Sequence, residues 1–230
     1  MAFMVLPAIK TNGEIIRKVL FVTVGAMMVT LSVKYLQEYE MAMVNENIVI
    51  RLAQDADIPE VKQLLERYHA KNLAGEQRAN GFVTTDMTQQ QLSELSSAES
   101  GVVIAVDRSC DKVIGLLLGG SWEFLSPWPM FKYMASILNE YRYQGKKLDA
   151  ASSYQYGPIC VAEEYRGQGV GELLLAYQRK VFAPRYPVIV TFVNVLNPRS
   201  YAFHTRNQFE DVGFFNFNGN KYHMMALPTS

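Results

Sequence analysis

The stretch from Tyr156 to Leu175, YGPICVAEEYRGQGVGELLL, constrains the fold more than any other part of the chain. The apolar run Ile159–Val161 passes through Glu163 and Glu164 into Arg166-Gly167-Gln168-Gly169-Val170-Gly171. After that, Leu173, Leu174, Ala176 and Tyr177 recur at helical spacing. The order is strand, glycine-rich turn, helix. The first amides of a helix lack internal partners and sit at the positive end of its dipole, and glycines leave room for a phosphate to approach them. The turn reads as a pyrophosphate cradle.

Its register limits what it can hold. Glu172 stands where the third glycine of a G-x-G-x-x-G dinucleotide fingerprint belongs, and a carboxylate there repels a pyrophosphate. No Gly-Lys-Ser/Thr follows, which excludes a P-loop. Lys plus Arg and Asp plus Glu both number 22, so no net field draws the chain to nucleic acid. With only Cys110 and Cys160, a disulfide framework is not indicated and a reducing compartment is the default. His69, His204 and His223 show no metal-ligand spacing.

Around this stretch the chain reads as one domain over 47–230, preceded by an extension over 1–46. In the extension, Val19 to Val33 is apolar or small throughout but falls short of the roughly 20 residues that span a bilayer. Three readings stay open for it: a weak membrane anchor, a helix packed on the domain, or a segment upstream of a true start at Met41 or Met43. The domain opens with a strand at Ile48–Leu52. A helix over 58–71 follows, with Asp57 as its cap and Pro59 in its first turn. Gly75 to Asn80 is a polar loop. Thr88 and Gln91 form a capping box for a second helix, and strands at 101–106 and 112–118 make a hairpin.

An insert over 119–153 carries Trp122, Glu123, Trp128 and a helical pattern from Met130 to Tyr141; its aromatics either form a binding lid or complete the core. Beyond the glycine turn, Val188 to Val195 is an apolar strand. Asn197-Pro198 opens a helix, and Asn218-Gly219 joins two strands. The order predicts an α/β fold with helices on both faces of a central sheet.

These residues resemble the GCN5-related N-acetyltransferase (GNAT) superfamily, whose cofactor signature is R/Q-x-x-G-x-G/A after a V-x-P-x-x-R strand exit. Here Val161-Ala162-Glu163-Glu164-Tyr165-Arg166 leads into Arg166-x-x-Gly169-x-Gly171, with Glu163 in the usual place of proline. A second block resembles N-x-x-S/A-x-x-F/L-H/Y-x-x-x-G-F. Asn197, Ser200, Phe203 and His204 fit it, and Gln208-Phe209 replaces Gly-Phe. The resemblance covers about 47–227 and is nearest to little-characterised bacterial members.

It implies the GNAT fold, a mixed, mostly antiparallel twisted sheet. It also implies an enzyme that transfers acetyl from acetyl-CoA to a primary amine of a small molecule or peptide; the cysteine and histidine usage above adds the expectation of a cytoplasmic protein with no metal. By the same resemblance, Ile159, Cys160 and Val161 hold the pantetheine arm. Arg166, Gly167, Gln168, Gly169, Val170 and Gly171 take the pyrophosphate, and Asn197 and Ser200 complete the donor site. His204 stands where relatives place a tyrosine as general acid, Tyr201 is the reserve, and Glu123 is a candidate base. Trp122, Tyr154 and Tyr156 join Glu123 as candidate acceptor contacts. A homodimer and membrane association through 19–33 stay open. The competing expectation is a catalytically silent acyl-CoA-binding sensor on the same fold.

Overall fold

The computed structural model describes residues 4–5, 9–11, 14–16, 19–20 and 47–230. In the first of these pieces, Met4–Val5 pairs antiparallel with Val19–Leu20, and Ile9–Thr11 with Glu14–Ile16. The apolar run from Val19 to Val33 otherwise lies outside the described residues. No helix among the described residues is long and apolar enough to cross a membrane.

In the body formed by residues 47–230, seven strands make one sheet: β1 (Ile48–Leu52), β2 (Val102–Asp107), β3 (Lys112–Gly120), β4 (Ser153–Val161), β5 (Val188–Asn194), β6 (Glu210–Phe217) and β7 (Asn220–Pro228). Their spatial order is β6-β7-β5-β4-β3-β2-β1, antiparallel throughout except for the parallel pair β4–β5. Both faces of β2 are buried, as expected for a central strand covered on each side. The longer helices are α1 (Ile58–Arg67), α2 (Gln89–Glu99), α3 (Pro129–Ile137), α4 (Val170–Phe182) and α5 (Pro198–Arg206). Gly75 to Asn80, expected as a polar loop, holds a one-turn helix at Gly75–Arg78, and Arg142–Tyr143 pairs with Lys146–Lys147 in the insert. The mixed, mostly antiparallel sheet that the resemblance implies is the one observed.

Local chemistry fixes most boundaries as read. Thr88 and Gln91 form the reciprocal box at the start of α2. Asn218 and Gly219 both take positive φ, 46° and 74°, as a two-residue primed turn between β6 and β7 requires. Gln208 replaces the glycine of the family block and adopts φ 67°, so the backbone keeps the left-handed bend that glycine would take without strain.

Two further expectations are corrected. The first helix stops at Arg67 rather than continuing to 71, because the chain turns extended at His69 to bridge with Val83. Asp57 does not cap that helix through its side chain. Its carboxylate is bound by Arg51 at 2.6 and 2.8 Å, and that ion pair holds it below the usual carboxylate range.

Candidate active site

The site is a wedge in the sheet. β4 and β5 pair only over Ser153–Gln155 and Val188–Val190, after which β4 stays with β3 and β5 with β7. A register shift between Tyr156 and Ile159 bends β4 away at that point. The apex is closed by polar contacts: the Tyr156 carbonyl accepts from Thr191 Oγ1 at 2.8 Å and from Gln155 Nε2 at 2.7 Å. Ala162 N–H bonds the Ile114 carbonyl on β3, so by strand alternation Cys160 also faces β3 while Ile159 and Val161 turn their backbone groups to the wedge.

At the open end of β4, Gly167 and Gly169 take φ 76° and 80°, and α4 starts at Val170. Among the described residues, no hydrogen-bond acceptor meets the amides of Gly167, Gln168, Gly169, Val170, Gly171 or Glu172. A run of free amides at the start of a thirteen-residue helix has the geometry and dipole that favour an anion. Gly171 has a second requirement, because a Cβ there would sit 2.8 Å from the Phe203 ring. The glycine at 171 thus lets α4 and α5 close on each other.

A cavity of about 60 Å³ occupies the wedge, walled by residues 82–85, 155–159 and 191–194 with Asn197, Ser200, His204 and Tyr222. Its outer wall is an extended strap whose alternate carbonyls each accept from a side chain of a different element. Arg166 Nη1 donates to Asn80 O at 3.1 Å and Asn197 Nδ2 to Phe82 O at 2.9 Å. His69 Nε2 donates to Thr84 O at 3.2 Å and Trp128 Nε1 to Asp86 O at 3.4 Å. Six buried side-chain polar atoms have no partner among the described residues, and three of them belong to this cavity: Gln155 Oε1, Tyr156 Oη and His204 Nε2. Buried polar groups are rarely left unpaired, so these atoms, Gln155 on one face of β4 and Tyr156 and His204 on the other, mark where a ligand can bring hydrogen bonds.

His204 and Ser200 do line the wedge. The ring donates from Nδ1 to the Ser200 carbonyl at 2.7 Å, and burial lowers its pKa to about 4. At pH 7 it is therefore neutral with Nε2 bare. A neutral imidazole whose one N–H is already given to a carbonyl does not suit the general-acid role expected of His204. Asn197 caps α5 by accepting from Ser200 N–H at 3.2 Å, and its amide nitrogen holds the strap. Tyr156 reaches the site, packed edge-on against His204 at 5.6 Å between ring centroids.

The other expected residues do not assemble there. Trp122 is buried and gives its indole N–H to Ser153 Oγ at 3.0 Å, a core role. Glu123 is exposed and lies outside the cavity wall, where water solvates it. Tyr154 stacks on Phe182 of α4 at 4.1 Å. Tyr201 also lies outside the wall; it donates to Asp211 at 3.3 Å and packs on His223, which Asp211 binds through Nδ1 at 2.6 Å.

Arg166 is committed as well: Nε donates to Val161 O at 2.9 Å, Nη1 holds the strap, and the guanidinium covers the Tyr68 ring at 4.5 Å. Replacing Arg166 by alanine is expected to cost about 2–3 kcal/mol, since two charge-assisted bonds and a cation–π contact go together. A urea titration should show the midpoint fall with an unchanged slope.

Gln155, Thr191 and the strap were not anticipated from sequence. A lone glutamine between Tyr154 and Tyr156, inside what proves to be a nine-residue strand, was the available signal for the first.

With the wedge and cradle described, comparison with solved structures is decisive for the fold. An N-acetyltransferase from Staphylococcus aureus Mu50 superposes with a TM-score of 0.55, over 80% of this chain and 99% of that one, at 17% identity. The chain has the GNAT fold. Two further GNAT structures agree. A ribosomal-protein-alanine N-acetyltransferase from Brucella melitensis gives a TM-score of 0.53 at 18% identity, over 78% of this chain and 99% of that one. Arabidopsis thaliana NAA60 in complex with acetyl-CoA gives 0.52 at 16% identity, over 79% and 99%. No known family's sequence profile matches the chain, and no curated protein does.

Proposed function

We propose that this chain is an acetyl-CoA-dependent N-acetyltransferase that passes the acetyl group directly to a primary amine of a small molecule or peptide. The observation that carries the reading is the run of partnerless amides from Gly167 to Glu172 at the mouth of the β4–β5 wedge. Those amides suit a pyrophosphate, and the backbone edge of Ile159 together with the Val161 N–H suits an amide-bearing arm, the Val161 carbonyl being held by Arg166. On the α5 face, His204 Nε2 offers an acceptor to the same arm. The bound thioester would supply an acetyl group already activated for transfer.

Direct transfer is supported by the one thiol nearby. Burial pushes Cys160 up to about 12, so at neutral pH it is no thiolate and a poor candidate for an acyl-enzyme. The acetyl-CoA bound to the Arabidopsis neighbour, and the alanine in the name of the Brucella one, agree with donor and acceptor classes of this kind. Incubation with acetyl-CoA and a panel of primary amines should release free CoA in step with amide formation. Binding of acetyl-CoA without release for any amine would favour the silent sensor.

A further inference from the structure

The cavity wall has an electrostatic character that bears on the acceptor. Among the described residues, no Asp, Glu, Lys or Arg side chain lines it. Its titratable groups are His204, neutral as above, and Tyr156 and Tyr222, both raised above the ordinary phenol range by burial. Asp86, just beyond the strap wall, is bound by Lys62 at 2.8 Å and by Lys71, and those bonds lower it to about 2. Glu172 approaches Tyr156 from α4 but is exposed. An ammonium entering this cavity would leave water without meeting a counter-charge, and an unpaired buried charge responds by losing its proton.

Gln155 supplies what an uncharged amine needs. The residue is buried at the apex of the wedge, and its side chain lies on the opposite face of β4 from Tyr156 and His204. Because Nε2 donates to the Tyr156 carbonyl at 2.7 Å, the amide is fixed in one orientation and Oε1 is left as a buried acceptor with no partner.

We propose that the acceptor presents its nitrogen to the apex of this wedge as an uncharged amine, beside the arm that fills the mouth, with one N–H received by Gln155 Oε1, and that the substrate class is therefore weakly basic primary amines such as peptide α-amines, in preference to lysine ε-amines. This rests on the acetyltransferase reading. The nitrogen lone pair forms the C–N bond as the thioester C–S bond breaks, and one amine proton ends on the departing sulfur, giving amide and thiol. At pH 7 about one α-amine in eight is uncharged against about one ε-amine in 2,500, a ratio of about 300.

The test is calorimetry on the full chain saturated with CoA, in two buffers of different ionisation enthalpy. The probes are a lysine-free tripeptide with a free α-amine and Nα-acetyl-lysine methylamide. About one proton should be released per ε-amine bound at pH 7, with affinity rising about tenfold per pH unit from 6 to 9. The tripeptide should bind more than tenfold tighter at pH 7. Gln155→Leu should lose at least tenfold in tripeptide affinity, a larger factor than any change in its CoA affinity.

Binding of the ε-amine to the wild type without proton release would overturn the proposal, as would unchanged tripeptide affinity in a folded Gln155→Leu. Should that variant fail to fold, the wild-type proton count still decides. Failure of CoA itself to bind would remove the acetyltransferase reading and this proposal together, whereas CoA binding with the wrong proton count removes this proposal alone.

Discussion

Replacing Gly169 by glutamate is expected to weaken acetyl-CoA binding by more than a hundredfold while leaving the protein folded. Gly169 holds φ 80° and ψ 0° as the residue before α4, a conformation that costs an L-residue about 1–2 kcal/mol. Strain of that size lowers stability without unfolding a domain of this length. The larger effect is electrostatic. A carboxylate placed among the free amides of Gly167 to Glu172 would satisfy them itself and repel an incoming phosphate. Gly169→Ala separates the two causes, since it carries the strain without the charge and should bind within about tenfold of wild type. Calorimetry for affinity and a urea midpoint for stability check both; a glutamate variant that binds normally would show that the turn is not the anion site.

The second large effect is a loss of stability in mild acid traceable to His204. The imidazole titrates near 6.5 when unfolded and at about 4 in the folded protein, chiefly because burial penalises its charged form. Between those values the unfolded chain binds the extra proton, so stability rises with pH there. The contribution is fully present above about pH 6.5 and falls away as pH drops through 4, by about 3 kcal/mol in all. Carboxylates such as Asp57 and Asp86 add their own loss at the acid end, so the comparison is with His204→Gln. That variant should lose the His204 share of the decline between pH 6.5 and 4 and keep the part that His69, also lowered by burial, contributes. A midpoint difference between the two proteins that does not change with pH would contradict the burial of a neutral His204.

Much of the frame was legible because it depends on neighbours in sequence. Gly167 and Gly169 in a turn, Asn197 capping a helix with Pro198 at its first position, and Asn218-Gly219 joining two strands all act within a few residues of themselves. The side chains that turn a wedge into a site work across the chain. Arg166 meets Asn80 at a separation of 86 residues and Asn197 meets Phe82 at 115, so their role in holding the strap had no local signal.

Glu123 illustrates the reverse error: a carboxylate in an aromatic stretch suggests a base, yet the aromatics turn inward while the carboxylate faces water. The chemistry of His204 was likewise beyond sequence, since the ring's tautomer and basicity follow from the Ser200 carbonyl and from burial against Tyr156 and Phe209. Gln155 went unnoticed because its strand was read as beginning at Ile159, which hid the register that buries it.

The most direct measurement is a titration of the isotopically labelled protein with acetyl-CoA, followed through its backbone amide resonances. The account predicts that the largest changes fall on the amides of Gly167 to Glu172, accompanied by Ile159 and Val161 along the wedge. Saturation with those resonances unmoved, or with the changes confined to another surface, would contradict it.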